Sequence, residues 1–449
     1  MRNSCNIRDG FGSRLGIVAA AAGSAIGFGN ILRFPYQLGS SGGAAFLVIY
    51  LIFVILLGMT GMICEMTIGR RAQRDVVNSF RILSPNTLWR YAGIIGIFTV
   101  IIILAYYIVL FGWSFNYFIM SVFNNFSGKT VEQLTQLHKT TINGTFKPII
   151  YSILCMGATA FVVIGGVKKG IERCTKYLMP VLFIIIIMLV IKGLTLEGSR
   201  KGLVFLFAPD FSKITPTVIF NALGQSLFDL SLGSGIMITY GSYISKRENL
   251  GIIVAQTAIL NTCVSLLAGI AIFTAVFAYG IAPTEGYSLS YIVLPAVFQQ
   301  MTGGYFFSIM FFLLLSLAGL TVSISIIEVI VAYLIDNFKL SRLVSTVISA
   351  SVVGLLSIPC ALSFGVMKNI TFLGRNFFDL CDFLSGNLCN PIASLIWVIF
   401  VAWYLGYKNV KDELTNGGSL SAPYLPIFIN IIKYISPVII IFVFIKGLV

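Results

Sequence analysis

The sequence predicts an all-α polytopic membrane protein with eleven transmembrane helices, and three observations carry that prediction. The first is composition. Of 449 residues, 57% are hydrophobic and only 10% charged, with a mean hydropathy of +0.95. A helical span needs roughly 20 apolar residues, and the chain supplies run after run of them between short polar connections. The second is the placing of basic residues in alternate connections: Arg70, Arg71, Arg74, Arg81 and Arg90; Lys168, Lys169, Arg173 and Lys176; Lys246 and Arg247; Lys339 and Arg342; Lys408 and Lys411. That alternation puts those connections and the N-terminus in the cytoplasm, so the net charge of +14 reads as topology and not as nucleic-acid binding. The third is that two of the apolar runs are broken mid-span by small and polar residues.

In chain order, residues 1–14 form a polar, basic cytoplasmic segment without a cleavable-leader pattern. Spans follow near 15–38, 44–70, 91–124, 148–166 and 173–193, then 216–243, 249–280, 304–336, 342–362 and 377–405, with a last one at 421–446. An odd number of spans places the C-terminus outside a cell (inner or plasma) membrane. Longer outer connections lie at 125–147 and 194–215. A third, at 281–303, carries Pro283, Pro295 and Gly303-Gly304 and is expected to form a short re-entrant hairpin over the outer mouth. The eight cysteines are scattered through apolar runs without metal-ligand spacing and read as packing residues. His138 falls in an outer connection and is expected to be solvated.

The first run contains Ala22-Gly23-Ser24-Ala25-Ile26-Gly27-Phe28-Gly29-Asn30-Ile31-Leu32-Arg33-Phe34-Pro35. Glycines weaken a helix by roughly 1 kcal/mol each relative to alanine, and an arginine within a span points to function. Broken backbone at membrane depth survives only in protein or beside a wet cavity, where freed carbonyls can hold cations. Alone, the stretch reads equally well as a small-residue packing face. The sixth run settles the balance, because it has its own interruption, Gln225-Ser226-Leu227-Phe228-Asp229-Leu230-Ser231-Leu232-Gly233-Ser234-Gly235. Broken segments at corresponding positions of two five-span sets, 15–193 and 216–405, point to a transporter site between inverted repeats. A carboxylate buried there is costly unless a cation joins it.

At these residues the chain resembles the neurotransmitter:sodium symporter family, whose bacterial members include eleven-span, LeuT-type amino-acid transporters. The resemblance rests on the two broken stretches and on Gly12-Ser13-Arg14-Leu15-Gly16, Gly42-Gly43-Ala44-Ala45-Phe46, Gly170-Ile171-Glu172-Arg173, Leu294-Pro295-Ala296-Val297-Phe298 and Ala318-Gly319-Leu320-Thr321. It implies the LeuT-type 5+5 inverted repeat and two sodium sites. The first would use Ala25, Asn30, Asp229 and Asn261; the second Gly23, Ile26, Ala318 and Thr321. Val322 stands where the family offers a further hydroxyl to the second site, and neighbouring Ser323 points about 100° away on a helix. Arg33 with Asp382 would close the outer gate, over a lid of Tyr107 and Phe228. Arg8 with Asp336 would close the inner one, beside Phe11, Ser242 and Tyr243. Glu65 is read as a hydrogen-bond acceptor for the broken helix and not as a transported-ion ligand.

The resemblance also bears on the cargo. Amine carriers of the family place an aspartate where this chain has Gly27, so an α-amino acid is expected. Its site would comprise Ser24, Ala25, Phe28, Gly29, Ile103, Tyr107, Phe228, Asp229, Ser231, Ser234, Val322 and Ile326. Ser234, where leucine carriers have phenylalanine, favours a large side chain with a polar edge; tyrosine or tryptophan fits best, with methionine and leucine left open. The chloride-site positions of the family correspond to Tyr50, Gln225, Asp229, Asn261 and Ser265, and Asp229 supplies a fixed negative charge, so no chloride is expected. An enzyme is not expected, since no catalytic constellation is present. The alternative is a cation channel or a non-transporting amino-acid sensor of the same fold.

Overall fold

The computed structural model describes residues 10–279 and 289–448. Apart from one isolated bridge between Phe372 and Arg375, its regular structure is helical. The first apolar run is two helices, α1 (Arg14–Ala25) and α2 (Gly29–Ser40), which meet at 53°. Then come α3 (Ala44–Ala72), a short connecting α4 (Val76–Leu83), α5 (Leu88–Val122), α6 (Val131–Ile142), α7 (Phe146–Ile164), α8 (Val167–Leu194) and α9 (Ser199–Phe207). The sixth run is again two helices, α10 (Pro216–Asp229) and α11 (Ile236–Gly241). The rest are α12 (Leu250–Ala278), α13 (Leu294–Gln300), α14 (Gly304–Phe338), α15 (Arg342–Leu362), α16 (Phe377–Thr415) and α17 (Leu425–Gly447).

Among the described residues, nine helices are long and apolar enough to cross a membrane, and the bent α1–α2 pair makes ten. The sixth run does not qualify by length, because six residues separate α10 from an α11 only six residues long. In that gap Ser231, Gly233 and Gly235 all have positive φ, at 54°, 80° and 76°. Left-handed backbone at three of six positions cannot continue a right-handed helix, and at the serine it is strained.

Burial sorts the spans into layers. The apolar window of α14 is 72% buried, whereas that of α17 is 28% buried. The first is core; the second turns most of its surface to lipid. The broken helix α1 packs against α8, α12 and α14, while α11 packs against α3. Several spans contain wide i→i+5 turns, among them Gly29–Arg33 and Leu384–Cys389, both beside the central site. Such turns recur where a helix re-aims side chains at a function.

Three sequence expectations change. Arg70, counted with the cytoplasmic connections, is fully buried: its Nε donates to Glu413 Oε1 at 2.7 Å and its Nη1 to the Glu248 carbonyl at 2.6 Å. Glu413 lies on a polar extension that carries α16 past residue 405 to Thr415, so this charge is structural. His138 is buried under the outer surface and not solvated; its Nδ1 lies 3.0 Å from Tyr117 Oη and its ring stacks on Tyr291 at 5.6 Å. Desolvation pushes its pKa down to about 4. The outer connection at 281–303 contains α13, and residues 280–288 lie outside the described part.

Candidate functional site

The break in the first span is built by one side chain. The amide of Gly27 would continue α1 by donating to Gly23, but it donates to Asn30 Oδ1 instead, at 3.0 Å. Helix α1 ends with the Ile26 amide on the Ala22 carbonyl, at 2.7 Å. The Gly23 carbonyl therefore loses its helical donor, and the Ser24 carbonyl takes the Ser231 hydroxyl at 2.9 Å. That last bond ties the two broken spans together. At Gly29 any larger residue would collide, since a Cβ there would sit 2.9 Å from Asp229 Oδ1 and from the Phe228 ring.

A cavity of about 50 Å³ lies between the two breaks. Eleven of the twelve residues expected at the substrate site line it: Ser24, Ala25, Phe28, Gly29, Ile103, Tyr107, Phe228, Ser231, Ser234, Val322 and Ile326. The twelfth, Asp229, is buried behind Gly29. Gly27, Ile236 and Asn390 complete the wall. Ile236 and Asn390 went unread in the sequence; the signal for Asn390 was an amide followed by Pro391 inside an apolar run. Phe28 and Tyr107 sit 4.9 Å apart between centroids. With Phe228 they also border an outer vestibule of about 230 Å³ that contains Arg33 and Asp382. Arg33 lies over the Phe228 ring at 4.6 Å, and among the described residues it forms no ion pair with Asp382. The two residues expected to form the outer gate thus both line this vestibule without pairing.

The residues expected at the first sodium site form two hydrogen-bonded groups flanking Gly29. In one, Asn30 Nδ2 donates to Asn261 Oδ1 at 2.9 Å and to Ser265 Oγ at 2.7 Å. In the other, Asp229 accepts from Tyr50 Oη at 2.7 Å and from Gln225 Nε2 at 2.8 Å, and Gln225 Nε2 also reaches the Gly29 carbonyl at 3.0 Å. All five positions matching the family's chloride site are thus engaged in these hydrogen bonds, with the Asp229 carboxyl group among them. At the second expected site, Thr321 Oγ1 donates to the Ala318 carbonyl at 3.1 Å, and a Cβ on Gly23 would lie 3.6 Å from that of Thr321. Val322 faces the cavity, and Ser323 spends its hydroxyl on Gly319 at 2.6 Å. Oxygen donors of these kinds suit a hard cation.

At the end of the molecule opposite that vestibule, Phe11 plugs the approach. Its ring meets Tyr240 at 5.6 Å and Tyr243 at 6.1 Å, and its amide donates to the Tyr243 carbonyl at 3.3 Å. Ser242 Oγ donates to the Thr239 carbonyl at 2.6 Å. Asp336 accepts from the Asp75 amide at 2.8 Å, and Arg8 lies outside the described residues. Sequence reasoning missed Glu328, about two helical turns along α14 from Thr321. Its Oε1 accepts from Tyr243 Oη at 2.7 Å and its Oε2 from Arg342 Nη2 at 2.5 Å. This pair, buried at Glu328 and partly exposed at Arg342, joins α14, α15 and the segment after α11. A carboxylate inside the apolar α14 run was the available signal. Glu65 accepts from the Gly233 amide at 2.8 Å, supporting the second break as expected.

Comparison with known proteins agrees with this geometry. The profile of the sodium:neurotransmitter symporter family matches residues 8–142 and 130–449. The chain is 37% identical over 434 residues to the sodium-dependent transporter YhdH of Bacillus subtilis, covering 97% of this chain and 96% of the relative. It is 37% identical over 454 residues to a sodium-dependent transporter of Haemophilus influenzae, covering 98% of each. The crystal structure of MhsT in complex with L-phenylalanine is similar, with a TM-score of 0.90 and 39% identity over 98% of this chain and 100% of that one. With its fold, its paired broken spans and these relatives in agreement, the chain belongs to the sodium:neurotransmitter symporter family and is a LeuT-fold, sodium-dependent membrane symporter, not an enzyme.

Proposed function

We propose that the protein imports a large hydrophobic or aromatic α-amino acid, tyrosine or tryptophan, by alternating access, driven by sodium at two sites and without chloride. The observation that carries this reading is the cavity wall: among its residues there is no charged side chain. The charged ends of a zwitterionic substrate are then left to backbone groups freed at the two breaks, and to a sodium ion at Ala25, Asn30, Asp229 and Asn261. Half-helix termini facing each other across a cavity suit such a ligand. MhsT, whose structure holds L-phenylalanine, supports the substrate class. The second ion is assigned to Gly23, Ile26, Ala318 and Thr321.

Chloride independence is supported by the bonds that Tyr50 and Gln225 give to Asp229, since those donors would otherwise serve an anion. We place the N-terminus in the cytoplasm, the C-terminus outside, and the repeats at 15–193 and 216–405. In the cycle, Arg33 and Asp382 close above the substrate, and release inward requires Phe11 to leave Tyr240 and Tyr243 and the Glu328–Arg342 pair to loosen. The test is uptake by proteoliposomes bearing Asn30→Ala or Asn261→Ala. Each removes one oxygen ligand and should abolish sodium-driven accumulation in protein that remains monodisperse in detergent. Wild-type rates from either variant would remove the first sodium site from this account.

A further inference from the structure

The cavity has a polar end that the assigned residues do not explain. Its serines are spent as donors: Ser24 Oγ donates to the Ala21 carbonyl at 2.8 Å, Ser231 Oγ to the Ser24 carbonyl at 2.9 Å and Ser234 Oγ to the Ser231 carbonyl at 2.6 Å. Each hydroxyl hydrogen points at backbone, so Ser234 offers the cavity lone pairs only. Asn390, from a different span, lines the same cavity and also a neighbouring one of about 330 Å³. Its Oδ1 is shut away from solvent without a hydrogen-bond partner. The end of the carboxamide left to meet a ligand is therefore Nδ2, a donor.

The local fold holds these two groups together. The wide turn Leu384–Cys389 ends immediately before Asn390, which re-aims that residue relative to a regular helix. Gly233, at φ +80°, packs directly on the Asn390 backbone; a Cβ there would come within 2.2 Å of the Asn390 carbonyl oxygen. The loop carrying Ser234 is thus clamped against the residue that carries the amide. One acceptor and one donor are thus available among the lining residues, with Ile103, Ile236 and Ile326 supplying apolar surface.

We infer that Ser234 and Asn390 recognise a phenolic hydroxyl, and that Asn390 is a specificity-determining residue selecting tyrosine over phenylalanine. A phenol donates and accepts at one oxygen, so it can donate to Ser234 Oγ and accept from Asn390 Nδ2 at once. An indole N–H only donates and satisfies one of the two groups; a phenyl ring satisfies neither. Sites that hydrogen-bond a substrate hydroxyl reject the analogue lacking it more strongly than apolar pockets reject size changes. This inference rests on the amino-acid reading proposed above.

The experiment measures sodium-dependent binding of L-tyrosine, L-phenylalanine, O-methyl-L-tyrosine and L-tryptophan to purified protein, by competition, for wild type and Asn390→Leu. Wild type should bind tyrosine at least about tenfold more tightly than phenylalanine, as expected for one or more net hydrogen bonds. It should bind O-methyl-L-tyrosine no better than phenylalanine. In Asn390→Leu the tyrosine-to-phenylalanine ratio should collapse about tenfold, whatever happens to phenylalanine itself. Equal affinities in wild type, or an unchanged ratio in the variant, overturn the inference. The wild-type arm decides alone if the variant does not fold. Phenylalanine is the reference that separates the two readings: sodium-dependent binding of phenylalanine without preference for tyrosine defeats only the role of Asn390. No sodium-dependent binding of any of the four defeats the aromatic amino-acid reading with it.

Discussion

Replacing Asp229 with serine should convert a chloride-indifferent transporter into one that needs chloride. Asp229 accepts two hydrogen bonds, from Tyr50 at 2.7 Å and Gln225 at 2.8 Å, and both donors are fully buried. A hydrogen bond to a charged partner contributes about 1.5–3 kcal/mol, and a buried donor left unpaired costs about 1–3 kcal/mol. Asp229→Ser removes the charge and leaves at least one of these donors facing an empty space, beside an expected sodium ion that has lost its counter-charge. A net loss of about 3 kcal/mol corresponds to a roughly 100-fold weaker sodium-dependent binding of substrate. Chloride can occupy the vacated place, accept from Tyr50 and Gln225, and restore the negative charge. The assay is substrate binding in sodium chloride and in sodium gluconate at equal ionic strength. Wild type should show the same affinity in both, and the variant should bind about 100-fold more weakly in gluconate, with most of the loss recovered in chloride. Wild-type binding that requires chloride, or a functional variant indifferent to it, would refute the reasoning.

Three other outcomes follow from particular contacts. Glu413→Ala leaves the buried Arg70 guanidinium uncompensated and should lower stability in detergent by about 3–5 kcal/mol, while Glu413→Leu with Arg70→Met should recover most of that; denaturation midpoints of the three proteins decide it. Ser234→Phe should fill the far end of the cavity, raising the Ki of tyrosine and tryptophan about tenfold or more while moving preference toward leucine; an unchanged rank order in competition would contradict it. His138 is held neutral by burial, with its pKa down at about 4 against about 6.5 in an unfolded chain. The unfolded state therefore binds more protons between these values, so this contribution is complete above about pH 6.5 and is lost as the pH falls toward 4. Its full size is about 3 kcal/mol, and His138→Gln should flatten the pH dependence of thermal stability over that window; equal slopes for the two proteins would exclude it.

The architecture was legible because its signals are chemical extremes. Long apolar runs, and glycines, Asn30 and Asp229 inside two of them, together point to paired broken spans, and the cavity wall came from the family resemblance those residues carry. What escaped detection depends on partners far apart in sequence. Arg70 looks like any basic loop residue until Glu413, 343 positions away, is brought to 2.7 Å. His138 looks solvated until Tyr117 and Tyr291 close around it. Glu328 and Asn390 each offer one polar group in an apolar helix, and only the fold supplies Tyr243 and Arg342 for the first and Gly233 and Ser234 for the second. Asp229 was identified as a site residue from its type and place, but its separation from the cavity by Gly29 depends on a backbone approach that no sequence pattern encodes.

Uptake of each of the twenty labelled amino acids into proteoliposomes, with an inward sodium gradient and with potassium in its place, tests the central claim most directly. The account predicts saturable accumulation above equilibrium of aromatic and large hydrophobic amino acids, tyrosine foremost, only with the sodium gradient and equally in chloride and gluconate. A sodium conductance that needs no amino acid, or sodium-dependent binding without accumulation of any of the twenty, would contradict it.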